Sequence, residues 1–369
     1  MTAAESLASS EALSANTGSA LSGPCPPAER AVSGALPDDP PTLADVARLA
    51  GVSVATASRV LTGSVRVRQP TIDKVQDAMT RLGYVRNRAA RSPTRLAGAI
   101  ALVFCEEAVK ALADPFFVRM VRSLSKALAS ADQQLILLTL HSPREYYTVS
   151  RYLRAGHVDG ALLVSMHSRP DFDFAALGIP LVLCGRPVRG GENLSYIDAD
   201  NVDGARMAVA YLLASGRKAV ATIAGPRDMA PGIDRLLGYH KAMISGGVRD
   251  PGMIAYGDFG HLSGEHAMYR LIDHRPSLDA VFVASDLMAA GALRGLRRLG
   301  RRVPDDVAII GFDDSPLSQQ TNPRLSTVRQ PVDAMAAQMA SELLSIIASP
   351  SSEPVHVVLD TELILRDSA

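Results

Sequence analysis

In the stretch "SVATASRVLTG", from Ser53 to Gly63, the side chain with the most chemistry is Arg59. A guanidinium presents a fixed fork of donors, which can engage two acceptors at once on a carboxylate, a phosphate or the edge of a guanine. At helical spacing Val54, Ala55, Ser58, Arg59 and Thr62 share one face, while Ala57, Val60 and Leu61 turn the other way. The first face is small and polar, with one cation and no acid, which suits a surface entering a negatively charged groove. The plainer alternative is the solvated side of a helical hairpin. Ser53 is a suitable N-cap for this helix, and Arg66 and Arg68 follow in the next loop, where they could reach phosphates.

Other constellations fall short of a reaction. Ser123 and Lys126 in "SLSK" have nucleophile-and-base spacing, but they fall on an amphipathic helix with no partner motif. "HLSGEH" holds His261, Glu265 and His266 without the HExxH order of a zinc protease. "GRPVRGGEN" is glycine-rich but is neither a phosphate loop nor a dinucleotide fingerprint. The three cysteines, Cys25, Cys105 and Cys184, form no CxxC pair or Cys/His cluster, so neither a zinc site nor a disulfide framework is expected. No enzyme activity, metal or cofactor is expected.

The elements that must position these residues follow from the pattern. Thr42 precedes a first helix with Asp45 three residues on, an acidic capping box. Leu43, Val46, Ala47 and Ala50 share its inner face, and Gly51 supplies a turn that needs positive φ. A third helix runs from about Pro70 to Leu82 with Ile72, Val75, Met79 and Leu82 as its apolar stripe. Net charge over the whole chain is zero, but Thr42 to Ala97 holds ten Lys/Arg against three Asp/Glu, which points to a polyanion partner at that end. Residues 1–40 are rich in Ala, Ser, Pro and Gly and read as a disordered tail. From Gly98 on, apolar runs such as "GAIALVF", "GALLVS", "PLVLCG" and "VAIIGFD" alternate with amphipathic helices. Continuous apolar runs are what strands buried on both faces look like, so a parallel doubly wound α/β build is expected. The number of units suits two lobes with a ligand cleft between them. No secretory signal or membrane span is apparent, and a cytoplasmic protein is expected.

The combination "TLADVARLAGVSVATASRVLTG" with "KVQDAMTRLGYVRNRAAR" resembles the DNA-binding headpiece of the lactose-repressor/purine-repressor (LacI) family, nearly without gaps. The resemblance extends through "GARMAVAYLLASGRKAVATIAGPRD", "VFVASDLMAAGALRGLRRLG", "VPDDVAIIGFDDS" and "PRLSTVRQP" to the family's effector-binding core, which is similar to periplasmic sugar-binding proteins. It implies four segments: a tail over 1–40, a helix-turn-helix headpiece over 41–85, a hinge over 86–97, and a two-lobed effector-binding and dimerisation core over 98–369. It also implies function: a transcriptional repressor, acting as a homodimer on a pseudo-palindromic operator of double-stranded DNA and controlled by a sugar or sugar-like effector. A solute-binding protein serving a transporter would share the core, but it would need an export signal and have no use for a basic headpiece.

By the same resemblance the second helix enters the major groove. Val54 and Ala55 occupy its reading positions with Arg59 one turn later, and Ser53, Thr56, Ser58 and Thr62 match positions touching phosphates or base edges. Thr42, at the head of the first helix, belongs to the same surface. Asn87 and Arg88 match a backbone-contacting stretch. "RAARSPTRLAG" matches a hinge that folds into the minor groove, and there Pro93 stands where relatives carry an apolar wedge. Proline can wedge, but within a helix it removes a hydrogen bond, so a shortened hinge helix is expected. In the core, Arg235 matches an arginine that grips effector oxygens, and Asp286 matches an acid that pairs with effector hydroxyl or amine groups. Phe117 and Phe259 match aromatic cleft positions, and Gln330 and Asp313 lie on stretches near the cleft.

Overall fold

The structure, a computed structural model, describes residues 42–61, 67–82, 84, 97–168, 173–174, 177–247, 253–350 and 353–369. The tail, most of the hinge, and Thr62, Arg66, Asn87, Arg88 and Pro93 therefore lie outside the described residues. The chain divides into two compact units, Met1–Arg86 and Asn87–Ala369.

The described part of the first unit is three helices: α1 (Leu43–Ala50), α2 (Val54–Leu61) and α3 (Gln69–Leu82). Thr42 and Asp45 close a reciprocal capping box on α1, with the Thr42 N–H donating to the carboxylate at 2.9 Å. Gly51 ends the helix in the left-handed region at φ 65°, where a side chain would be strained. The Ser53 hydroxyl then accepts from the Thr56 N–H at 3.1 Å and starts α2. Val46, Ala47, Ala50, Ala57, Val75 and Ala78 are buried together, with Leu43, Val60, Met79 and Leu82 packed against them. Alanines at the crossing let the helices approach closely.

The second unit begins with β1 (Ala99–Phe104), α4 (Ala108–Ala113), α5 (Pro115–Ala129), β2 (Gln134–Thr139), α6 (Pro143–Arg154), β3 (Gly160–Val164), β4 (Leu181–Cys184) and β5 (Ser195–Ala199). It continues with α7 (Asn201–Ala214), β6 (Val220–Ala224), α8 (Ala230–Ser245), β7 (Ile254–Tyr256), α9 (His261–His274), β8 (Ala280–Val283), α10 (Asp286–Arg298), β9 (Ala308–Asp313), α11 (Pro316–Gln320) and β10 (Ser326–Arg329). It ends with α12 (Val332–Ala348), β11 (His356–Leu359) and β12 (Glu362–Ile364).

Two six-stranded sheets result, in the orders β11-β5-β4-β3-β1-β2 and β12-β10-β9-β8-β6-β7. Pairing is parallel throughout except between β10 and β12. The central strands are buried on both faces, as their unbroken apolar runs demand: every residue of β1, β3, β6 and β8 is buried. The chain passes between the lobes three times, at β5 to α7, at β10 to α12 and at β11 to β12. The C-terminal ends of β1, β3 and β4 in one lobe and of β6, β8 and β9 in the other carry the loops that line the space between them, where open α/β sheets place their ligands.

Candidate functional site

The cleft between the lobes holds about 690 Å³ of empty space, counting its open mouth. The first lobe contributes mainly apolar surface: Phe116, Phe117, Val164, Met166 and Cys184, with Met335 from α12. Asp114 caps α5 through the Phe116 N–H at 2.9 Å, and Pro115 opens the helix. Together they set Phe117 into the wall, edge-on to Phe104 at 5.2 Å.

The second lobe brings charge. Arg235, in the second turn of α8, is 4% exposed. Its Nε donates to Asn201 Oδ1 at 2.9 Å and one terminal nitrogen to the Ala284 carbonyl at 2.6 Å. The guanidinium lies over the Phe312 ring at 3.8 Å and 3.6 Å from an oxygen of Asp313. Asp313 in turn accepts from Gln330 Nε2 at 2.7 Å. Burial lowers the Arg235 pKa, against the opposing pull of Asp313, Asp198, Asp286 and Asp114. Burial raises Asp313 to about 7, against the pull of Arg235.

Phe259 sits at the cleft with φ 69°, and Asp313 has φ 122°. Both lie in backbone regions that non-glycine residues rarely adopt, held there by their surroundings.

Of the residues expected from sequence to meet an effector, Phe117, Arg235, Phe259 and Gln330 line the cleft, and so does Asp313. Asp286 does not. It is fully buried behind β9, accepting from Thr327 Oγ1 at 2.6 Å and from the Ser315 N–H at 2.8 Å. Here its carboxylate fastens β10 and the start of α11 to the head of α10. Gly311 makes the room, since a Cβ there would stand 2.5 Å from Asp286 Oδ1. Burial, and then the nearby Asp313, push the Asp286 pKa well above the usual carboxylate range.

Sequence reasoning missed Arg186, Asn201 and Asp234. Arg186 lines the cleft from the loop after β4, and its Nε reaches across to Asp234 Oδ2 on α8 at 2.9 Å, with a second contact to the other oxygen. Its own N–H is held by Asp198 at 2.9 Å. The signal was present in "PLVLCGRP", a buried strand followed at once by glycine and arginine, because loops at strand C-termini are where a doubly wound sheet binds.

On the headpiece, Val54, Ala55 and Arg59 of α2 are exposed and Thr56 and Ser58 are half-buried, so the described part of the surface expected to read DNA is presented outward. Ser53 and Thr56 share a hydroxyl–hydroxyl bond of 2.8 Å. Ser123 and Lys126 remain on the outer surface of α5, with the Ser123 hydroxyl bound to Asp333. Glu265 is buried against Arg294 and Arg298. Among the described residues there is no group of three or more His, Cys, Asp or Glu arranged to hold a metal ion, and no helix is long and apolar enough to cross a membrane.

Comparison with known proteins is consistent across the chain. Residues 42–87 match the model of bacterial regulatory proteins of the lacI family, and residues 209–369 match a periplasmic binding protein-like domain. The HTH-type transcriptional regulator CelR of Thermobifida fusca is 43% identical over 333 residues, covering 89% of this chain and 98% of the relative. The solved transcriptional regulator CelR–cellobiose complex aligns with a TM-score of 0.71 at 42% identity, over 89% of this chain and 100% of that one. The lac repressor dimer bound to operator and the anti-inducer ONPF aligns at 0.66 and 26% identity, over 89% and 99%. With a helix-turn-helix unit, a two-lobed ligand-binding unit and relatives matched over nearly their whole length, the chain belongs to the lacI family of bacterial regulatory proteins, DNA-binding transcriptional regulators under the control of a small-molecule ligand.

Proposed function

We propose that this regulator is a homodimeric repressor whose effector is cellobiose. The observation that carries the reading is the balance of charge around Arg235. Its cation is compensated within the protein by Asp313 and its acidic neighbours, so the cleft offers strong donors and acceptors without a net demand for a charged ligand. Opposite them lies apolar surface at Phe117 and Met335, with the Phe259 ring beside Arg235 at 5.7 Å, and hydroxyls with C–H faces next to them are what a neutral sugar presents. The 42% identity with the cellobiose-bound CelR structure supports the choice of sugar.

In this reading Arg235 and Asp313 hold hydroxyls from the second lobe and Asn201 and Gln330 from the crossings. Phe117 and Phe259 cover the ring faces, and Asp286 supports the wall from behind. On DNA, α2 enters the major groove with Arg59 as its main direct reader. Val54 and Ala55 contribute only apolar contact, as to a thymine methyl. Ser53, Thr56, Ser58, Thr62, Asn87 and Arg88 meet the backbone and flanking edges, and Thr42 anchors α1 beside it. A proline at position 93 disfavours a helix there, so operator bending is expected to be weaker than with a leucine at that position. The effector acts through its different affinity for two arrangements of the lobes, which changes affinity for DNA.

Calorimetric titration with cellobiose, glucose and maltose, alongside gel shift of the protein's own upstream DNA with and without each sugar, tests the reading. Cellobiose alone is expected to bind tightly and to change DNA affinity. Equal binding of maltose, or cellobiose binding with no change on DNA, overturns it.

A further inference from the structure

A second set of charged side chains joins the lobes outside the Arg235 cluster. His167, in the loop after β3, stands between two carboxylates from opposite lobes. Its Nε2 is 3.1 Å from Glu106 Oε1, in the loop after β1, and its Nδ1 is 2.8 Å from Asp228 Oδ2, in the loop after β6. The link is doubled by the backbone, where the Ser168 N–H donates to the Asp228 carbonyl at 2.7 Å. The neighbouring Ser165 and Met166 line the cleft itself, so this tie sits at the wall of the effector site.

Ionised carboxylates only accept hydrogen bonds, and a neutral imidazole has one donor and one acceptor nitrogen. With an acceptor oxygen facing each nitrogen, a neutral ring satisfies one carboxylate and turns its lone pair on the other. Only the imidazolium satisfies both.

We propose that His167 is a positioning residue for the effector site: as an imidazolium tied to Glu106 in one lobe and to Asp228 in the other, it holds the lobes in their closed arrangement, so effector affinity depends on the proton at this ring. The groups facing it are few. Glu106 and Asp228 flank it, and Lys110 of α4 lies 3.3 Å from the same Glu106 oxygen. Asp114 is in the field of Glu106 and Lys110, Asp258 of the other lobe is in that of Lys110, and Arg227 beside Asp228 is stacked over Tyr256 at 3.8 Å. The hydrogen bond to Glu106, set against burial and joined by Asp228, raises the His167 pKa above its ordinary value. Glu106, which burial alone would raise, is lowered by the His167 bond and Lys110.

When the lobes part, Asp228 leaves and the ring keeps only Glu106. The closed arrangement therefore binds the proton more tightly. By linkage, closure and the effector binding that goes with it are strongest below the ordinary histidine pKa and weaken as pH rises through the raised one.

The test rests in one arm on cellobiose as the effector and in the other on no ligand. Without ligand, the ¹³C-labelled histidine spectrum of the full chain, with His167 assigned by its loss in His167→Gln, should show a midpoint above about 6.5, and that midpoint should fall in Asp228→Asn. Asp228 is half exposed, so that variant folds. With cellobiose, wild-type affinity should weaken between pH 6 and 8.5 by at least about threefold more than that of His167→Gln or Asp228→Asn, with one proton setting a ceiling of about tenfold per pH unit. Comparison with the variants removes the contribution of Asp313, which titrates in all three proteins. An ordinary His167 midpoint, one unmoved by Asp228→Asn, or equal pH slopes in wild type and variants overturns the proposal. If cellobiose binds at no pH, the effector reading fails and the ligand-free midpoints decide this one.

Discussion

Arg59 and Arg235 are the arginines around which two surfaces are organised, and their settings are opposite. Arg59 is exposed on a two-turn helix whose unit has six buried hydrophobic residues among those described, four of them alanine. Arg235 is 4% exposed in a lobe built on a six-stranded sheet, with a carbonyl, an amide, a ring and four carboxylates around it. Contacts of a cation on the surface are screened by water, so its removal costs little. Removal of a buried one costs more, because its partners are left with uncompensated charge. The reading surface can therefore change its sequence preference at little cost in stability, whereas in the cleft, ligand preference and stability change together.

Arg235→Ala should show this most strongly. Removing one partner from a buried charged cluster costs about 3–5 kcal/mol, so urea unfolding of the two-lobed unit should shift by that amount while helix content of the headpiece is retained. An alanine variant as stable as the wild type would erase the distinction between the two arginines.

The charge cluster also predicts a pH dependence with a definite sign. Asp313 has a folded pKa of about 7 against 3.8 for an unperturbed aspartate. The folded state thus holds the extra proton, and its stabilisation is complete below about pH 4 and lost as pH rises towards 7. One such group gives a slope of at most about 1.4 kcal/mol per pH unit. Asp313→Asn, which keeps an acceptor for Gln330, should flatten unfolding free energy between pH 5 and 7. No difference in slope from the wild type would mean that the proton resides elsewhere in the cluster.

The same contrast explains what was legible in the sequence. The headpiece carries its surface on consecutive residues of one helix, so periodicity alone separates Ala57 inside from Arg59 outside, and the caps at Thr42, Gly51 and Ser53 are local chemistry. The lobes were legible too, as unbroken apolar runs. The cleft was only partly so. Arg186 and Asp234 are 48 residues apart, and nothing local says that a glycine-rich loop after β4 will meet the second turn of α8. The burial of Asp286 was not legible for a related reason. Its position at the head of α10 follows from sequence, but the room for its carboxylate depends on Gly311, 25 residues on, where a Cβ would stand 2.5 Å from Asp286 Oδ1.

Arg59→Ala sharpens the comparison from the other side. A bidentate contact to a base is worth about 1–3 kcal/mol, so operator affinity should fall by that amount and sequence preference should relax, while thermal unfolding shifts by far less than in Arg235→Ala, because contacts of an exposed cation are worth at most about 1 kcal/mol. Loss of affinity uniform over all DNA sequences would make Arg59 a phosphate contact instead of a reader.

The smallest effect is expected at Thr42→Ala. The Thr42 hydroxyl donates to Asp45 at 2.6 Å and accepts from the Asp45 N–H at 3.3 Å, and the Thr42 N–H donates to the same carboxylate. The carboxylate is consequently held below its usual pKa, first by the Thr42 side chain. Alanine leaves the backbone arm of the box intact and removes the other two, a loss of about 1 kcal/mol. In a unit with so small a core, a change of that size should appear as a lower melting temperature of the headpiece and a matching loss of DNA affinity, while effector binding by the lobes stays as it was. Because the box needs an ionised Asp45, the wild-type advantage over Thr42→Ala should shrink as pH falls below the ordinary aspartate pKa. An advantage that persists there would locate the threonine's contribution in its acceptance from the Asp45 N–H, not in its bond to the carboxylate.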